Sequence, residues 1–261
     1  MTTSTSTSTI TSRPEHVLLS VRDLHVAYGK AEVVHGLSLD VRAGEFVVVL
    51  GRNGAGKSTV MHAISGLVPK RSGTVSFAGQ DLTHASARQI VQSGIVQVLE
   101  GHRVFQTLSV EDNLMIGTYA KSARGDRSKL DAMYELFPEL ADRKQQMASR
   151  LSGGQQQILA VAQGVIGEPK LLILDEPSGG LAPIVVDRIL SVASALCAKG
   201  LAILLVEQLV EKALKHAHFA FLMETGRVVA AESSAEIARG DLLHRVFLGG
   251  GEPMTEMESQ S

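Results

Sequence analysis

The stretch Gly51-Arg52-Asn53-Gly54-Ala55-Gly56-Lys57-Ser58-Thr59 follows the apolar run Phe46 to Leu50 and precedes an apolar-periodic segment, Val60 to Leu67. Strand, glycine turn and helix in that order are the context of a phosphate-binding P-loop. The spacing G-x-x-x-x-G-K-S is met by Gly51, Gly56, Lys57 and Ser58. Gly54 and Gly56 let the backbone curl so that successive N–H groups face one anion. A helix starting near Lys57 presents its positive end to the same anion. Lys57 reaches the outer phosphates, and the Ser58 hydroxyl is a ligand for Mg²⁺. Gly51 through Thr59, with Arg52, Asn53 and Ala55 between the glycines, is therefore the candidate nucleotide-binding loop.

The composition is globular. Of 261 residues, 44% are hydrophobic and 20% charged, enough for a substantial core. Trp is absent and only seven Phe and three Tyr are present, which removes the stacking platforms of single-stranded nucleic-acid binders. A net charge of −2 argues against a general nucleic-acid binder, and no nucleic-acid partner is expected. Cys197 is the single cysteine, so no internal disulfide forms, and its apolar helical surroundings make it a small core residue. Of nine histidines only His216 and His218 are close, with no cysteine partner, so no metal site is read from them. No apolar run approaches the ~18–20 residues of a membrane span. The opening MTTSTSTSTITS is polar and of low complexity, unlike a signal peptide, and reads as disordered. A cytoplasmic protein is expected, any membrane part being supplied by a partner.

Val17–Val21, Leu24–Tyr28, Leu37–Val41 and Gly73–Phe77 read as strands, and they predict an antiparallel group beside the P-loop core. Ile95–Leu99 is a further strand. From about Val110 to Arg150 helix formers dominate, and Leu151-Ser152-Gly153-Gly154-Gln155 opens a helix with Ile158, Leu159, Val161, Ala162, Val165 and Ile166 on one face. Leu171 to Leu174 is a buried strand with Asp175 and Glu176 at its carboxyl end. A helix follows from Pro183, then the strand Ala202 to Val206, then a hairpin over Phe219 to Ala231. Strands alternating with helices imply a parallel sheet with ligands at the strands' carboxyl ends. The predicted fold is α/β: a P-loop core with a parallel sheet, an N-terminal antiparallel β subdomain and a helical insert over about 107–167. One domain spans 17–248, between a disordered lead, 1–16, and a flexible tail, 249–261.

Asp175 is suited to hold Mg²⁺ opposite Ser58, and Glu176 to orient or deprotonate an attacking water. An Asp-Glu pair after an apolar run also serves simply to cap the next turn. Ser152, Gly153 and Gly154 at a helix start make a second anion site, one more than a single triphosphate needs.

The order of P-loop, Leu151–Gln155, Leu171-Leu-Ile-Leu-Asp-Glu-Pro177 and Val206-Glu207-Gln208 resembles the ATP-binding-cassette ATPases, over about Leu18 to Leu248. Other P-loop enzymes, such as kinases and GTPases, lack the Leu-Ser-Gly-Gly-Gln segment. The resemblance implies ATP and Mg²⁺ as ligands, and two subunits packed head to tail. Residues 151–155 of each subunit then close on the γ-phosphate held by the other's P-loop. It implies that Tyr28 stacks on adenine. Gln208 stands where most of the family has His, and still offers a donor to the γ-phosphate. Glu100 stands in the coupling loop where many members have Gln, and Ala182 where they have Asp. Glu100-Gly101-x-Arg103-Val104-Phe105, Gly180-Leu181-Ala182-Pro183 and Leu205–Gln208 resemble one ATPase subunit of branched-chain amino-acid importers. Leu99, His102 and Gln106 depart from that subgroup, at positions where the membrane partner docks. The implied partners are a second ATPase subunit, identical or different, an integral-membrane permease and, indirectly, a solute-binding protein. The implied location is peripheral, on the inner face of the cell membrane. Related importers take urea or short amides. Non-transport members act on DNA or ribosomes, but the spacing here is too short for their long coiled coil and there is one cassette only.

Overall fold

The structure, a computed structural model, describes residues 13, 15–101, 103–119, 126–240, 243, 246 and 247. The expected lead up to residue 12, His102 and the expected tail 249–261 lie outside the described residues. In chain order the strands are β1 (Val17–Tyr28), β2 (Ala31–Arg42), β3 (Phe46–Leu50), β4 (Ser72–Phe77), β5 (Gln80–Asp81), β6 (Ile95–Val98), β7 (Leu171–Asp175), β8 (Ala202–Glu207), β9 (Phe219–Glu224) and β10 (Arg227–Ser233). The helices are α1 (Lys57–Ile64), α2 (Ala87–Ser93), α3 (Val110–Thr118), α4 (Leu130–Leu136), α5 (Pro138–Ala141), α6 (Gly153–Val165), α7 (Pro183–Ala198), α8 (Val210–His216) and α9 (Ser234–Arg239). No helix among the described residues is long and apolar enough to cross a membrane.

Two sheets organise these elements: a four-stranded one ordered β2-β1-β4-β5 and a six-stranded one ordered β10-β9-β3-β8-β7-β6. In the second, β3, β6, β7, β8 and β9 run parallel and β10 returns antiparallel. The first is antiparallel throughout. The five residues of β3 are all buried because both faces of the sheet are covered. Phe46, Val48 and Leu50 pack into a core shared with α6 and α7, whereas Val47 and Val49 pack into one shared with α1 and the antiparallel sheet.

Two expected short strands, 17–21 and 24–28, are one strand, β1. Its register with β2 shifts between Val21 and Leu24, where Asp23 takes a positive φ of 48°. That bulge interrupts the apolar alternation and hides the continuity of the strand in the sequence. Likewise β2 begins six residues before the expected Leu37, because pairing with β1 satisfies backbone groups that carry polar side chains. Arg13, inside the expected lead, reaches Glu45 at 2.6 Å and lies 3.6 Å from the Phe219 ring centroid. Cys197 is a core residue, as expected, its thiol pushed up to about 11 by burial.

The turn between β9 and β10 joins both sheets to the phosphate loop. Gly226 donates its N–H to the Ala55 carbonyl at 2.9 Å and accepts the His35 N–H at 3.0 Å. A Cβ at Gly226 would stand 2.1 Å from the Val33 carbonyl oxygen, so only glycine fits.

Between β6 and β7 the described residues form α3 to α6 and the turns that join them. The entry to this stretch is fixed by Asn113, wholly buried at the start of α3. The Asn113 side chain accepts the Phe105 N–H at 2.8 Å and donates to the Phe105 and Ser109 carbonyls at 3.0 and 2.9 Å. Asn113→Ala strands these backbone groups. A loss of about 2 kcal/mol is expected, readable as a melting temperature roughly 5 °C lower in a thermal scan.

Candidate nucleotide site

The carboxyl ends of β3, β7 and β8 lie along one edge of the six-stranded sheet, and the candidate residues sit there. Past β3 the backbone turns through positive φ at Gly54, 80°, and Gly56, 96°, and enters α1 with no side-chain cap. The first-turn N–H groups of α1 are left free for an anion. Lys57 is 3% exposed. Its ammonium donates to the Gly51 and Arg52 carbonyls at 2.9 and 3.2 Å, and lies 3.2 Å from Glu176 Oε1.

Ser58, on the first turn of α1, donates its hydroxyl to Asp175 Oδ1 at 2.8 Å. Asp175 is 1% exposed. Burial pushes its carboxyl above the usual range, opposed by the Ser58 hydroxyl and His62 and reinforced by Glu176 and Glu100. A carboxylate held away from water gains from a cation beside it. Its second oxygen accepts from Gln97 Nε2 at 3.2 Å and stands 3.4 Å from His62 Nε2.

Glu176 takes φ 43°, in the left-handed region, with its N–H bonded to the Val206 carbonyl at 3.0 Å. Such a backbone costs of order 1–3 kcal/mol and re-aims the side chain. It directs the carboxylate to Lys57 on one side and to the Gln208 amide N–H on the other. A carboxylate so placed accepts a proton from water, and the neighbouring amide orients what it binds.

Sequence reasoning passed over Glu207, which fixes this pair. Its carboxylate, 1% exposed, accepts the Ser178 N–H at 3.1 Å, the Ser178 hydroxyl at 2.8 Å and the Gln208 and Leu209 N–H groups at 2.9 and 3.3 Å. An acidic residue ending an apolar strand was the available signal. His62 and Gln97 were missed too. The i, i+4 spacing from Ser58 to His62 on α1 puts both on one face, whereas nothing in the sequence pairs Gln97 with Asp175.

The structure thus brings together Gly51–Thr59, Asp175, Glu176 and Gln208. Elsewhere lie Tyr28, 49% exposed at the β1–β2 hairpin, and Leu151–Gln155. Ser152 caps α6, and its hydroxyl and the Gln155 side chain form a reciprocal capping box. A Cβ at Gly154 would stand 2.9 Å from Val185 Cγ2, so the start of α6 packs closely on α7. Among the described residues no hydrogen bond or ion pair joins 151–155 to 51–59. Glu100 Oε1 lies 4.0 Å from where a Cβ at Gly179 would stand, and its charge also acts on Asp175.

An anion-cradling loop, a hydroxyl facing a strand-end carboxylate and a second carboxylate beside an amide define a nucleoside triphosphatase of the P-loop class. The chain belongs to the ABC transporter family, whose sequence pattern matches residues 34–179, and it is an ATP-hydrolysing cassette of that family. It is 38% identical over 233 residues to the high-affinity branched-chain amino acid transport ATP-binding protein BraG of Pseudomonas aeruginosa, covering 89% of this chain and 100% of that one. It is 32% identical over 237 residues to the lipopolysaccharide export system ATP-binding protein LptB of Escherichia coli K12, covering 88% and 97%. The crystal structure of a nucleotide-free ATP-binding cassette from an ABC transporter shares the fold, with a TM-score of 0.79 and 24% identity over 90% of this chain and 100% of that one.

Glu207→Gln replaces an acceptor oxygen by an amide N–H facing donors. ATP turnover is expected to fall about 10-fold with ATP affinity retained, and stability by about 1–3 kcal/mol. Steady-state hydrolysis, calorimetry and denaturant unfolding read the three quantities.

Proposed function

We propose that the chain is the ATPase subunit of an importer for branched-chain amino acids, driving a separate membrane permease. The observation that carries the hydrolytic part is Glu176, held between Lys57 and the Gln208 amide. The solute class is supported by 38% identity over nearly the whole chain to a branched-chain amino-acid transport ATPase, against 32% to a lipopolysaccharide-export one.

The N–H groups of Gly51–Thr59 and the Lys57 ammonium bind the phosphates, and Tyr28, exposed at its hairpin, stacks on adenine. Ser58 and Asp175 hold Mg²⁺. The set fits: a hydroxyl and a carboxylate 2.8 Å apart are hard oxygen ligands, and the buried carboxylate lacks water's compensation. When bound, the ion offsets charge on the outer phosphates. Glu176 orients the attacking water and takes its proton. Gln208 donates to the γ-phosphate without a histidine's response to pH.

Residues 151–155 act on a second subunit's nucleotide. Ser152 and Gly153 are exposed and belong to a helix start remote in the hydrogen-bond network from their own P-loop. ATP is then shared between two subunits, and its hydrolysis releases the contact. The permease docks beside the Glu100 loop. There a cavity of about 280 Å³ is lined by Val98, Leu99, Arg103, Ile116 and Gln163. Phe105 and Tyr119 are half exposed on the adjoining segments, an apolar surface suited to a protein partner. On this reading the protein works on the inner face of the cell membrane, with a solute-binding protein acting through the permease.

Glu176→Gln is expected to bind ATP normally, to lose turnover by at least about 100-fold, and to accumulate as an ATP-bound dimer. Chromatography with light scattering checks it, and a strictly monomeric variant at saturating ATP overturns the shared site. Lys57→Ala is expected to weaken ATP binding by calorimetry and, in the native host, to abolish leucine uptake selectively. Unaffected leucine uptake with loss of another solute overturns the substrate.

A further inference from the structure

Gln97 stands on β6, and its amide Nε2 donates to Asp175 Oδ2 at 3.2 Å. Asp175 Oδ1 accepts from Ser58 at 2.8 Å. The carboxylate is thus gripped at both oxygens, by a hydroxyl from α1 and an amide from the neighbouring strand. The other end of the Gln97 amide, Oε1, is buried and has no hydrogen-bond partner among the described residues.

That arrangement is costly by itself. A buried carbonyl without a donor loses its hydration with nothing in return. Turning the amide over gives no relief, because its oxygen would then face the carboxylate. The same amide is bonded to Asp175, so a donor that arrives at the Ser58–Asp175 pair arrives next to the amide whose acceptor is free. A bound Mg²⁺ supplies such donors, because it keeps several of its waters when protein oxygens hold it. Glu100 does not take this place. An ionised carboxylate has no hydrogen to offer the free Gln97 acceptor or Asp175.

We propose that Gln97 is a positioning residue of the divalent-cation site: its N–H fixes the Asp175 carboxylate and its Oε1 accepts a hydrogen bond from a water on the cation. The inference rests on the reading of Ser58 and Asp175 as the cation's ligands. Partners of this kind typically change metal affinity 10–100-fold.

The test uses Mn²⁺ as a spin probe. Mn²⁺ is titrated into the full chain saturated with a non-hydrolysable ATP analogue, and free Mn²⁺ is read by electron paramagnetic resonance. Gln97→Met removes both polar ends at similar volume, and Gln97→Asn withdraws the amide by one methylene. Both are expected to weaken Mn²⁺ binding about 10-fold, with analogue affinity in chelator unchanged. If Gln97→Met does not fold, Gln97→Asn decides by the same measurement. Ser58→Ala separates the two readings. If it weakens Mn²⁺ while the folded Gln97 variants do not, the inference on Gln97 is overturned and the ligand assignment stands. If none of the variants weakens Mn²⁺, both fall.

Discussion

The hydrogen bond from Ser58 to Asp175 joins residues 117 positions apart. It exists because β3 and β7 run parallel with only β8 between them, and because α1 passes from the end of β3 towards the end of β7. Parallel strands with helical crossovers put every strand-to-helix loop on one edge of the sheet. Reversing β7 would move Asp175 and Glu176 to the far edge, away from the phosphate loop. The topology therefore does what no local motif can: it converts separate short motifs into one site.

The same edge concentrates acidic charge, and the surroundings divide its work. Asp175 is desolvated and held by a hydroxyl, an amide and an imidazole. Glu176, one residue on, leaves the strand through a strained backbone and meets a lysine and an amide instead. Glu207, ending the adjacent strand, uses its charge entirely on backbone N–H groups and a serine hydroxyl. These are three carboxylates within a few residues of strand end, each with its own set of donors. Differences in environment of that kind let one group bind a metal, another take a proton and a third serve as a fixed strut.

Much of this was legible in the sequence. The P-loop, the strand ending in Asp175-Glu176 and the helix opened at Ser152 are local patterns with strong physical constraints, and the structure contains each of them. The single strand β1 was not legible, because its bulge at Asp23 imitates a break. Glu207, His62 and Gln97 escaped because their importance comes from contacts across the sheet, and those depend on which strands are neighbours. Glu100 marks another limit of the same kind. Its position along the chain is plain, but its nearness to Gly179 and to Asp175 comes from segments far apart in sequence.

The Gly226 turn has a mechanical consequence. By bonding to Ala55 on one side and His35 on the other, it ties the phosphate loop, the β9–β10 hairpin and the antiparallel sheet to one another. The helical region from α3 to α6 continues from the six-stranded sheet through residues 103–109 and 166–170, and α6 itself packs on β6 and α7. The cavity at Val98, Leu99 and Arg103 lies at the first of these connections. That cavity is also lined by Val96 and Gln97 of β6, so it backs directly onto the strand beside the one that carries Asp175.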